Sequence, residues 1–138
     1  MMQGMILYIS GERLLSELQK DFSAIYPYLS IEFFKGSNIW LPNYPSGKRI
    51  SAEKKVKDAW FMTHSPGELY IDASMKVSEL EQLFMSRFGL AVQVFRRSGN
   101  IWLETTMTDN WTLQQQNGHG QEITNGMAGN YYEDDKIY

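Results

Sequence analysis

Leu90-Ala91-Val92-Gln93-Val94-Phe95-Arg96-Arg97-Ser98-Gly99-Asn100-Ile101-Trp102-Leu103 reads as a strand, a tight turn and a second strand. Leu29-Ser30-Ile31-Glu32-Phe33-Phe34-Lys35-Gly36-Ser37-Asn38-Ile39-Trp40-Leu41 nearly repeats it. Backwards from each, Leu7-Tyr8-Ile9 recurs as Leu69-Tyr70-Ile71. Ser16-Glu17-Leu18 followed by Phe22 recurs as Ser78-Glu79-Leu80 followed by Phe84, 62 positions on in both cases. Tyr26-Pro27-Tyr28 shortens to Phe88-Gly89, while the later turn gains a residue, so Leu29/Ile31/Phe33 stay in step with Leu90/Val92/Val94. A slip of one would turn a strand's apolar side outward. The pattern is that of a duplicated β-α-β-β unit.

Local signals fill in each unit. Met5–Ser10 is a short strand stopped by Gly11, and Leu14, Leu15, Leu18, Phe22 and Ile25 recur at helical spacing up to Pro27. In the second unit, Ser78 with Glu81 three residues on reads as a capping box, with Val77 stapling the entry. Leu80, Phe84 and Phe88 are the inner stripe, and Gly89 is the C-cap.

The expected architecture is α+β, with repeat units 5–41 and 67–103 and a crossover 42–66. One mainly antiparallel sheet would carry two helices on one face, ferredoxin-like. The crossover holds the basic run Lys48, Arg49, Lys54, Lys55 and Lys57, read as a solvated connection, with one or two helical turns capped by Ser51. A short helix over about 109–118 stops at Gly118. Residues 1–123 form a single domain, and 124–138 an acidic, flexible tail.

Strict alternation assigns the faces. With Leu7, Ile9, Ile39, Leu41, Ile101 and Leu103 inward, the helix-free side carries Tyr8, Phe34 and Trp40 from one half and Tyr70, Phe95 and Trp102 from the other. Arg96 and Arg97 tip the hairpin beside them. So aromatic a face exceeds what a monomer usually exposes, and either the crossover and the C-terminal segment cover it as a third layer or it serves a contact. These eight residues are the candidate binding residues of a non-catalytic interaction or adaptor module, engaging a protein partner or a second copy. Binding of nucleic acid or a small aromatic ligand is the alternative. The formal charge of −3 makes nucleic acid the weaker one.

Catalytic signatures are sparse. There are no cysteines, and His64 and His119 have no carboxylate or second histidine at ligand spacing. No Gly-rich phosphate loop or Gly-x-Ser-x-Gly elbow is present. No catalytic residue, metal site or cofactor is therefore assigned. No run of apolar residues approaches a membrane span, and the start lacks a signal pattern, so a cytoplasmic protein is expected.

Ile25-Tyr-Pro-Tyr-Leu-Ser-Ile-Glu-Phe-Phe34 and Thr108-Asp-Asn-Trp-Thr-Leu-Gln-Gln-Gln-Asn117 resemble runs found in a family of small uncharacterised bacterial proteins. The resemblance covers about residues 7–120 and implies no activity. The tandem layout is also similar to the vicinal-oxygen-chelate metalloenzymes. Where that family places His and Glu ligands, this chain has Tyr8, Tyr70 and Trp102, with Glu104 the one carboxylate. The Thr-Leu-x-x-x-Asn piece faintly resembles ubiquitin-like β-grasp folds, the alternative architecture.

Overall fold

A computed structural model describes residues 4–35, 48–60 and 65–137, the last eleven by backbone alone. The order is β1 (Met5–Ile9), α1 (Leu15–Ile25), β2 (Leu29–Phe34), α2 (Val56–Ala59), β3 (Gly67–Ile71), α3 (Val77–Phe88), β4 (Ala91–Ser98), β5 (Ile101–Glu104), a 3-10 turn (Thr106–Thr108) and α4 (Leu113–Ile137). The expected Gly36–Asn38 turn, the strand with Ile39, Trp40 and Leu41, and His64 lie outside the described residues.

The chain is α+β, with two antiparallel sheets where one was expected. β1 pairs with β3, and β2–β4–β5 forms the other sheet. Each early strand pairs with its sequence counterpart in the other half, so no described ladder joins the two pairs. Leu7 lies opposite Leu69, and Glu32 opposite Gln93.

The alternation expected of the paired strands holds. Leu7, Ile9, Leu69 and Ile71 are buried, as are Leu29, Ile31, Phe33, Leu90, Val92 and Val94. With Leu15, Leu18 and Phe22 of α1 and Val77, Leu80 and Phe84 of α3 they make one core. Burying each such side chain contributes roughly 1.5–3 kcal/mol.

Both main helices begin in the same way. Leu15 and Ser16 donate their backbone N–H groups to Lys54 O and Ala52 O; Val77 and Ser78 donate theirs to Trp111 O and Asp109 O. In return, Val56 and Lys57 donate to Arg13 O and Gly11 O, and Leu113 and Gln114 to Met75 O and Ala73 O. Thus the turn at 51–57 does for α1 what 108–114 does for α3. It also satisfies helix-end donors that would otherwise need side-chain caps.

This arrangement corrects the local readings. The N-cap of α3 is Lys76, whose N–H donates to Glu79 Oε1 at 3.1 Å, so Ser78 lies inside the helix. Likewise α2 is entered at Lys55, whose N–H donates to Asp58 Oδ2, while Ser51 Oγ accepts only from Glu53 N–H. The crossover is more than a solvated connection, because Val56 and Ala59 join the core. Gly89 does end α3 in the left-handed region, at φ 61°.

α4 does not stop at Gly118, and its 25 residues run through the expected tail. A Cβ at Gly120 would stand 3.0 Å from both Arg96 Cγ and Tyr28 Cβ. That glycine is where the helix meets β2 and β4, not where it ends. Thr112 and Gln115 start α4 with a reciprocal capping box: Thr112 N–H donates to Gln115 Oε1 at 2.9 Å, and Gln115 N–H to Thr112 Oγ1 at 3.1 Å.

Candidate functional site

The aromatic residues expected on one face divide between the two sheets. Tyr8 and Tyr70 project from β1–β3 and are 49% and 58% exposed, beside exposed Ile6. Phe34, Phe95 and Trp102 share the other sheet's outer face, because Phe95 lies opposite Ser30 and Glu104, and Trp102 opposite Arg97. Trp40 lies outside the described residues.

Phe95 is not bare. It is buried beneath the guanidinium of Arg49, whose Cζ stands 5.2 Å above the ring centroid. Arg49 is brought there by a bridge opposite Phe34. Its Nε lies 3.7 Å from Glu32 Oε2, and Gln19 Nε2 is 3.3 Å from each Glu32 oxygen. Burial pushes the Glu32 carboxyl up, opposed by Arg49 and the Gln19 hydrogen bond. A small cavity of about 140 Å³ remains among Ser30, Glu32, Arg49, Phe95 and Trp102.

The two arginines part company. Arg97 is exposed at the hairpin end, where its Nε donates to Gly99 O. Arg96 turns the opposite way: its Nη1 donates to Gln116 Oε1 at 2.9 Å, tying β4 to α4. Alternation requires this, since Arg96 has the parity of Val92 and Val94.

β5 departs furthest from expectation. Ile101 and Leu103, read as inward, are 58% and 39% exposed, and Trp102 is 46% exposed. The helices pack on β1, β2 and β4, leaving β5 beyond their cover. Arg97 N–H donates to Tyr28 O, so Arg96 and Ser98 face β5. By the same alternation, the N–H and C=O of Trp102 and Glu104 point away from the sheet.

On the inner side, Glu81 is a buried carboxyl on α3. Its Oε2 accepts Val94 N–H at 3.0 Å where β5 no longer covers β4, and Thr105 Oγ1 donates to Val94 O. Glu81 Oε1 is buried with no hydrogen-bond partner. Burial pushes this carboxyl up to about 8, against the Val94 hydrogen bond and with a small push from Asp109. The sequence did carry a signal for it, since Glu81 shares a helical face with Val77, Phe84 and Phe88. Arg49 carried none, because its partners are set by a long connection.

A third feature lies at the start of α4. An open groove of about 650 Å³ runs between the β3–α3 turn and α4, with Trp111 and His119 on its wall. Their rings meet edge to face at 5.5 Å.

Among the described residues no three His, Asp or Glu side chains gather as a metal-holding group. No described helix is long and apolar enough to cross a membrane. Tyr8 and Tyr70 stand on one sheet, and Trp102 and Glu104 on the other. Comparison with protein families, with curated proteins and with solved structures finds no match for this chain.

Proposed function

We propose that this protein is a non-catalytic interaction module that receives a strand of another protein chain along the β5 edge. The observation that carries this is the exposure of Ile101, Trp102 and Leu103 on a strand whose Trp102 and Glu104 backbone groups point outward. An added strand would satisfy those groups, while Ile101 and Leu103 on one face and Trp102 on the other would contact its alternate side chains. Arg97 and Glu104, on Trp102's face, offer charges of both signs to orient it. Tyr8 and Tyr70 are a secondary surface on this reading.

The same reading takes the chain as a duplicated unit in which strand, helix, strand and capping turn occur twice. Matching hydrogen bonds at the two helix starts support it. It includes a ferredoxin-like layering of helices on one face of β2–β4–β5, kinship with the family of small bacterial proteins and a cytoplasmic location. In the two quoted motifs, Leu29, Ile31, Phe33 and Leu113 are core and Gln116 and Asn117 are ties, so the motifs are accounted for by folding.

Light scattering over a wide concentration range tests the simplest case, a second copy as partner. A mass of two chains that falls to one in Trp102→Lys is the expected result. A wild type and a Trp102→Lys variant that associate identically, with the Trp102 and Glu104 amides exchanging freely in both, would remove the reading.

A further inference from the structure

We propose that the groove at the start of α4 binds a neutral, polyhydroxylated ring, that is, a saccharide. This surface contains no residue of β5 and is separate from the strand-receiving edge.

The two halves, set in register by their matching backbone bonds, differ sharply at this place. Gly11 and Arg13 correspond to Ala73 and Met75, so Glu12 corresponds to Ser74. Val56 and Lys57 correspond to Leu113 and Gln114, so Lys55 corresponds to Thr112. In the first half, Lys55 Nζ and Lys57 Nζ each donate to a Glu12 oxygen at 2.8 Å, and this bridge spans the space between turn and helix. In the second half all three charges are gone. Ser74, Thr112 and Gln114 stand back, and the open groove of about 650 Å³ takes the bridge's place. That volume lies within the roughly 300–1,000 Å³ of small-ligand sites.

The lining states the ligand's chemistry. It offers two hydroxyls, the amides of Gln114 and Gln115, one indole, one imidazole and the single carboxylate of Glu122. No lysine or arginine lines it, which removes the usual grip on phosphate or carboxylate. Its many polar groups disfavour a purely apolar guest. A sugar ring suits both parts: its C–H face packs on Trp111, and its hydroxyls meet amides, hydroxyls and a carboxylate. The groups are also held in place. Thr112 and Gln115 are fixed by the capping box, which leaves the Thr112 O–H and the Gln115 amide N–H₂ unused by it. His119 is braced against the indole.

The test uses the full chain and a panel of glucose, galactose, mannose, N-acetylglucosamine, cellobiose and maltose. Binding is read from the Trp111 indole N–H and the Gln114 and Gln115 side-chain amides by NMR. At least one sugar is expected to give saturable shifts confined to these signals. Ser74→Glu with Gln114→Lys recreates the Glu12–Lys57 arm of the other half's bridge and is expected to weaken binding by about tenfold or more. Should that variant not fold, Glu122→Gln, at an exposed position of α4, is expected to weaken it as well. A panel in which no sugar moves these signals overturns the proposal. So does binding that is unchanged in the folded variants.

Discussion

Gln93 stands directly opposite Glu32 in the β2–β4 ladder, and each is the other's counterpart in its own half. Leu69 stands opposite Leu7 in the same way. The two ends of the Glu32–Gln93 pair differ: Glu32 reaches Arg49 and Gln19, while across the ladder Gln93 is buried.

Glu81 makes stability depend on pH. Its folded-state value of about 8 lies above its ordinary 4.5, so the folded chain holds the proton more tightly between those limits. Its contribution to stability is greatest at the acid end of that window, falls as pH rises through it, and levels off above about 8. Denaturant titrations at several pH values should show this slope, and Glu81→Gln should flatten it.

Arg49→Ala should raise the Glu32 carboxyl further, because the guanidinium opposes the effect of burial. It should also uncover Phe95. Carboxyl-carbon NMR titration reads the first effect. The stability cost should be modest, about 1 kcal/mol or less, since Arg49 is largely solvent-facing.

Two glycines of α4 should respond in opposite ways to alanine. Gly118 has nothing within 4 Å of a built Cβ, so Gly118→Ala should stabilise by about 0.5–1 kcal/mol. At Gly120 the new methyl meets Arg96, Tyr28 and the Arg97 carbonyl, so Gly120→Ala should destabilise by about 1–3 kcal/mol. Thermal melts of the two variants decide it.

Asn117 Oδ1 accepts the backbone N–H of Tyr28 at 2.8 Å, joining α4 to the entry of β2. Removing that acceptor leaves a part-buried donor. Asn117→Ala should cost about 1–3 kcal/mol, measured by chemical denaturation.

Much of this was legible in the chain. Period-two alternation found the inward sides of β2 and β4. The misreadings have physical causes. Ser78 and Glu81 fit a capping box by spacing, yet the donors of Val77 and Ser78 are already taken by carbonyls of Trp111 and Asp109. Alternation puts Phe95 on the outer face, but its cover is a guanidinium brought in by a connection with no periodicity. Gly120 looks like a breaker until β4 stands beside it, whereas Gly118 is carried inside the helix with open space around it. The groove shows only when 51–57 is laid on 108–114, and those turns share little beyond an apolar Val56 or Leu113.

The opposition of Leu7 to Leu69 and of Glu32 to Gln93 means that each half of the chain holds the other half's strands. A shortened polypeptide of residues 66–137 would carry β3 and β4 without their ladder partners β1 and β2. Neither sheet is whole within one half, so the single core closes only when both halves are present.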